Sequence, residues 1–400
     1  MGTGAATRLA VDGGTPVRAT FLPYAHQVIS DDDIAAVDDV LRSDWLTTGP
    51  RVPAFEGSLT ETTGARHAVA FSSGTAALHG ATVAAGLGAG DEAITTPMTF
   101  VATANAVLYA GATPTFADVT PDDLLISPDT VAAAIGPRTR AILAVDYAGH
   151  PADYVSLRDI ADAAPGGPAT LIADASHSLG ATRGGHPVGT LADMTVLSFH
   201  PAKILTTGEG GAVLTDRDDL ADRLRRFRNH GISTELAERR DWTYAMVDLG
   251  YNYRLTDLAA ALGSSQIRRL GAFLDRRRAL AERYQYRLAD HPVVELPAVA
   301  KDAEPAWHFL FVRLRLDRLD ADRQMVYQAM RAENIGVNVH YIPVHTHPYY
   351  RQRYPDVSMP VAEAAYDRLL TLPLHAGMSD VDVDDVVTAL DKVADAYGTR

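Results

Sequence analysis

Between residues 67 and 215, short apolar and β-branched runs alternate with stretches whose apolar positions recur every three to four residues. HAVAF (67–71), EAITT (92–96), the segment 113–117, RAILAVDY (140–147), TLIAD (170–174), MTVLSF (194–199) and GAVLT (211–215) are predicted strands. Helical spacing falls between them at about 75–85, 100–109 and 153–163. Strands alternating with helices of this length imply an α/β fold with a mostly parallel sheet between helices.

Near residue 255 the pattern changes. LTDLAAALGSSQIRRL and FLDRRRALAERYQYRLAD read as two long amphipathic helices, with Thr256 as N-cap of the first. WHFLFVRLRL (307–316), a helix at about 321–333 and VNVHYI (337–342) then suggest a smaller α+β domain. A last helix at about 380–396 places Val383, Val386, Val387 and Leu390 on one face. A boundary near 265–290 is expected, dividing the chain into a large α/β domain (1–265) and a small C-terminal domain (266–400).

Composition narrows the chemistry. The 400 residues are 47% hydrophobic, enough for a large core. A formal charge of −14 argues against nucleic acid or an anionic membrane as the main partner, although an acidic surface can still hold a basic pocket. The absence of cysteine excludes disulfides, thiolate catalysis and Cys-ligated metals. The first fourteen residues lack the apolar core of a signal peptide, and Ala6 breaks the myristoylation pattern. No window has the apolar length of a membrane span, so a soluble, cytoplasmic protein is expected.

Three segments of the larger part carry candidate chemistry. SSGTAAL (72–78) ends a strand and opens a helix, so Ser73, Gly74 and Thr75 can turn backbone N–H groups and a hydroxyl toward an anion. Alone it is as readily an ordinary turn. In LIADASHSLGA (171–181), Asp174 follows an apolar strand, at the sheet edge where open α/β folds bind ligands. It can pair with a protonated pyridine nitrogen or simply cap the next segment, and His177 can pack beside such a ring. In SFHPAKILTTGEGGAV (198–213), Lys203 lies between an apolar strand and a turn containing Gly208, Gly210 and Gly211. An imine-forming lysine needs such a partly apolar setting to lose its proton.

These segments, with GAGDEAITTPMTFVATANAV, GATPTFADV, DYAGHPAD, HGI, LGYNYRLTDLAAALG and HYIPVH, resemble the DegT/DnrJ/StrS family over nearly the whole chain. The family comprises sugar aminotransferases of pyridoxal 5′-phosphate fold type I. The resemblance implies Lys203 as the Schiff-base lysine and Asp174 as the pyridine-nitrogen partner. Gly74, Thr75 and Ser198 match the phosphate cradle, and Phe100 matches the ring-stacking aromatic. Asn252 matches a residue that reaches the neighbouring subunit's cofactor, which implies a homodimer with shared active sites. His177 stands where many members carry Gln, a departure that blurs the subfamily. Trp45, Thr47, Thr48, Tyr147, His150, His230, His340, Tyr341 and His345 lie in segments that line the family's cleft. His340, His345 and His347 have no partners in a metal-ligand spacing, and no metal is expected.

The implied reaction moves an amino group from L-glutamate, through pyridoxamine phosphate, to a nucleotide-linked (dTDP or UDP) 4-keto-6-deoxyhexose. SFHPAK, DLGYNYRLTD and HYIPVH are most similar to the branch that aminates C4. The AVDGGTPVR start is similar to branches acting on cyclitols, so a C3 keto-sugar or keto-cyclitol acceptor stays open. Dehydratases of the same fold carry His in place of the lysine, and Lys203 speaks against them. The intact lysine, aspartate and cradle speak against a non-catalytic regulator.

Overall fold

The computed structural model describes residues 8–233 and 241–399; Ala6 lies outside them. Its centre is a seven-stranded sheet in the order 67–71, 211–215, 194–198, 170–174, 139–145, 92–95, 113–116. The strand Gly211–Thr215 runs antiparallel to both neighbours, and every other pairing is parallel. The middle strands are buried over all but one residue each, which explains their long apolar runs. Six strands therefore deliver their carboxyl ends to one edge, together with the amino end of the antiparallel strand.

The helix Gly74–Ala84 packs on this sheet through Ala76, Ala77, Ala81 and Ala84, all buried. Small side chains let the helix approach closely. Its N-cap is Ser73, whose Oγ accepts the Ala76 N–H at 3.1 Å. Ahead of the sheet, Asp31–Leu41 and Arg51–Thr63 are helical, and Asp31–Leu41 opens on a capping box between Ser30 and Asp33.

A second core joins Leu280, Tyr284, Leu310, Val312, Leu370, Leu372 and the predicted face Val383, Val386, Val387, Leu390. Leu9 and Leu22 from the N-terminal segment pack into it as well. Thr256 caps the helix Asp257–Ile267 through the Ala259 N–H, as its position predicted. Two sequence expectations shrink. Of 307–316, only Leu310–Leu314 is a strand. The run 337–342 forms no strand and touches a separate three-stranded sheet, which contains Leu310–Leu314 and Leu369–Leu372, through a single bridge, Asn338 to Thr371. Its residues Asn338, Val339, His340 and Tyr341 instead line a cavity.

Candidate active site

The cavity, about 510 Å³, opens at the carboxyl edge of the seven-stranded sheet. That volume is ordinary for a small-molecule site. Its walls hold ten expected residues: Ser73, Gly74, Thr75, Phe100, Asp174, His177, Ser198, Lys203, His340 and Tyr341.

Lys203 sits in a tight excursion between two buried strands. Phe199 N–H bonds to Gly210 O at 2.9 Å, and Thr207 N–H returns to Phe199 O at 3.0 Å. Gly208 turns this loop at φ 80°, in the left-handed region. The loop pins the lysine backbone, since Lys203 N–H donates to His200 O at 2.8 Å. No hydrogen bond or ion pair to a described residue holds its Nζ. Burial pushes the ammonium down to about 8, against the opposing pull of the Asp174 carboxylate.

Asp174 ends its strand buried, and its carboxylate is fixed from both sides. Oδ2 accepts Thr103 Oγ1 at 2.6 Å; Oδ1 accepts Ser176 Oγ at 2.6 Å and Ser176 N–H at 3.2 Å. Thr103 is in turn 2.7 Å from the Thr99 hydroxyl. Sequence reading missed Thr103 and Ser176. Ser176 had a legible signal, because a Ser two residues after an Asp is a common local partner. Thr103 had none, being 71 positions away in sequence.

The residues fit pyridoxal phosphate. A Cβ on Gly74 would fall 2.9 Å from Ser198 Cβ, and one on Gly211 would fall 2.6 Å from Ser73 O. Backbone, rather than side chain, therefore fills the helix start, leaving N–H groups for a phosphate. Asp174 faces the same cavity as Lys203, as pyridine nitrogen and aldehyde require.

The opposite wall is aromatic. His177 lies 3.1 Å from the Tyr341 hydroxyl through Nε2, and its ring is 4.5 Å from that of His308. Burial, then the Lys203 charge, holds both imidazoles well below the usual histidine range, so they are neutral. Nδ1 of His177 has no partner among the described residues. Phe100 stands at the mouth, 57% exposed, with its ring 6.2 Å from Tyr341. Tyr24, His308, Asn338 and Glu209 also line the cavity and were not foreseen.

Other expected residues lie elsewhere. Tyr147 is buried behind the wall, donating its hydroxyl to His340 O. His150 accepts the Ala300 N–H at 3.2 Å in a separate buried setting. His345 pairs with Glu363 at 2.9 Å and packs on Phe116. Their polar atoms serve the core, which sequence spacing alone does not distinguish from a cleft. Trp45 is 50% exposed, Thr47 bridges to Thr256, and Thr48 and His230 are exposed at positive φ. Asn252 is exposed and bridges to Asn229. None of these five lines the cavity of its own chain.

Comparison with known proteins agrees with this arrangement. The profile of the DegT/DnrJ/EryC1/StrS aminotransferase family matches residues 27–391. Helicobacter pylori PseC, an aminotransferase involved in the biosynthesis of pseudoaminic acid, is similar at 30% identity and TM-score 0.87. The match covers 94% of this chain and 99% of PseC. The sugar aminotransferase CalS13 from Micromonospora echinospora is 33% identical at TM-score 0.85, over 92% of this chain and 99% of CalS13. Spr1654 of Streptococcus pneumoniae, solved in a pyridoxamine phosphate form, is 28% identical at TM-score 0.88, over 94% of this chain and 99% of Spr1654. The same protein is also known in its pyridoxal phosphate form. The chain belongs to the DegT/DnrJ/EryC1/StrS family and is a pyridoxal-phosphate-dependent sugar aminotransferase.

Proposed function

We propose that this enzyme transfers the amino group of L-glutamate to C4 of a dTDP- or UDP-linked 4-keto-6-deoxyhexose, giving a 4-amino-4,6-dideoxy sugar nucleotide. The observation that carries the catalytic part is the meeting of Lys203, Asp174 and the Gly74 helix start in one cavity. The regiochemistry rests on SFHPAK, DLGYNYRLTD and HYIPVH.

In this reading Lys203 holds the cofactor's aldehyde carbon, and Asp174 pairs with its ring nitrogen. Ser198, Thr75 and the N–H groups at Gly74 hold its phosphate. His177 packs beside the ring, and Phe100 covers it from the mouth. Bound pyridoxal phosphate supplies an electron sink for the donor's Cα electrons. Once displaced by the donor, Lys203 Nζ is a free amine with a depressed proton affinity. It would take the donor's Cα proton and return it two bonds away, at the carbon that carried the aldehyde, acting as base and then as acid. Thr103 and Ser176 hold the Asp174 carboxylate in place meanwhile.

The enzyme works as a homodimer with shared sites. Asn252 lies outside its own chain's cavity, beside an exposed apolar run of Trp242, Tyr244, Met246, Val247 and Leu249. A run this apolar marks an interface. Asn252 reaches the neighbouring subunit's site in that arrangement.

A panel of dTDP- and UDP-linked 4-keto-6-deoxyglucose, a 3-keto isomer and a keto-cyclitol, each with L-glutamate, tests the reading. Amination of a 4-keto sugar nucleotide with the highest kcat/KM supports it. Preference for the 3-keto sugar or the cyclitol overturns it.

A further inference from the structure

Thr371 lies fully buried on the strand Leu369–Leu372, outside the cavity wall. It nevertheless holds two residues of that wall. Its backbone exchanges both hydrogen bonds with Asn338, at 2.7 and 3.1 Å. Its hydroxyl lies 2.9 Å from His340 Nδ1. Two further contacts fix His340. Tyr147 donates its hydroxyl to the His340 carbonyl, and the Phe309 ring stacks on the imidazole at 4.5 Å and 16°. With Nδ1 engaged, Nε2 is the ring nitrogen left for a ligand, and it has no hydrogen bond to a described residue.

The chemistry of this wall is one-sided. Burial and the nearby Lys203 charge push His340 down to about 3, so its imidazole is uncharged at neutral pH. Tyr24, Asn338 and Tyr341 beside it bring hydroxyls and an amide, and no arginine of the described residues lines the cavity. Glutamate brings two carboxylates, which call for cations. A hexose brings hydroxyls, which match neutral groups that both donate and accept.

We propose that Thr371 is a positioning residue that orients His340 Nε2 to recognise a hydroxyl of the acceptor sugar. This deepens the sugar reading above and rests on it. The effect is selective: losing the Thr371 hydroxyl frees the ring to turn and weakens acceptor binding, while the donor half-reaction keeps its machinery.

The two half-reactions, followed separately in the holoenzyme, test this. Thr371→Val removes the hydroxyl at nearly constant volume; Thr371→Ser retains it. The expected result for Thr371→Val is an acceptor KM raised about tenfold, the worth of roughly one hydrogen bond. Its glutamate half-reaction stays within about twofold, and Thr371→Ser restores the acceptor KM. The acceptor is the most active ketone of the panel above. Equal loss in both half-reactions, no loss in either, or failure of Ser to rescue would overturn the proposal. An independent readout is the ¹⁵N spectrum of histidine-labelled protein. The His340 signals should report one tautomer in wild type and Thr371→Ser, and an averaged one in Thr371→Val. Unchanged signals in Thr371→Val overturn the proposal. If Thr371→Val does not fold, comparison of wild type with Thr371→Ser and Thr371→Ala decides. If no panel ketone is aminated, the regiochemical reading fails, and the ¹⁵N result alone decides the role of Thr371.

Discussion

Thr103 Oγ1 donates to Asp174 Oδ2 at 2.6 Å, tying the helix Ala102–Tyr109 to the end of a strand 71 positions later. A buried carboxylate needs such donors, since an unmet acceptor costs the full desolvation of the group.

Thr103→Val removes that donor at nearly the same volume. We expect cofactor affinity to fall about tenfold, from roughly 1–2 kcal/mol of lost hydrogen bonding to a charged group. Ser176→Ala should act in the same direction on the other oxygen. Absorbance titration with pyridoxal phosphate measures both. Unchanged affinity in both variants would remove these residues from the account.

The Lys203 ammonium sets a pH dependence in the cofactor-free protein. Burial lowers its pKa from 10.5 to about 8, so the amine is free from about pH 8 upward. Borohydride trapping of added pyridoxal phosphate should therefore rise with pH and level off above about 8, well short of an ordinary lysine's midpoint. The linkage has a definite sign. Between about 8 and 10.5 the unfolded chain binds the proton that the folded chain has released. This group's contribution to stability therefore increases with pH across that window and is lost as pH falls through about 8. Thermal unfolding of cofactor-free wild type against Lys203→Met across the window checks it.

Gly74→Ala places a methyl 2.9 Å from Ser198 Cβ in a packed helix start. The neighbouring backbone must shift, at a cost of about 1–3 kcal/mol. Cofactor affinity should fall further than overall stability, because the displaced atoms are those at the phosphate position. Calorimetric unfolding of the cofactor-free form, beside cofactor titration, separates the two effects.

Leu390→Ala empties part of the second core, where Leu390 is fully buried against Leu280 and Val386. A loss of about 2–5 kcal/mol is expected, with the cofactor spectrum of the folded fraction unchanged. Urea unfolding gives the energy, and the spectrum shows whether the damage stays remote from the cavity.

Local pattern revealed much of this molecule. The central strands announced themselves because burial on both faces demands an unbroken apolar run, as in TLIAD. The final helix was legible from four valine and leucine positions on one face. The run 337–342 misled, because Asn338, Val339, His340 and Tyr341 serve a cavity wall, with a single bridge and no ladder. Lys203, Asp174 and Gly74 could be placed in one cavity because strand ends and turns are local. Tyr147, His150 and His345 were not separable from cavity residues. Whether a polar side chain in such a segment turns to a ligand or to Glu363 depends on partners far along the chain. Thr103 and Thr371 were invisible for the same reason, each acting through one distant side chain.

The most direct test of the central claim is reduction of the loaded protein with borohydride, followed by peptide mapping. The account predicts a covalent cofactor on the peptide containing Lys203 in wild type and none in Lys203→Ala. It also predicts that L-glutamate converts unreduced wild type to the pyridoxamine form. A label on another lysine, or a loaded protein that no amino donor converts, would contradict it.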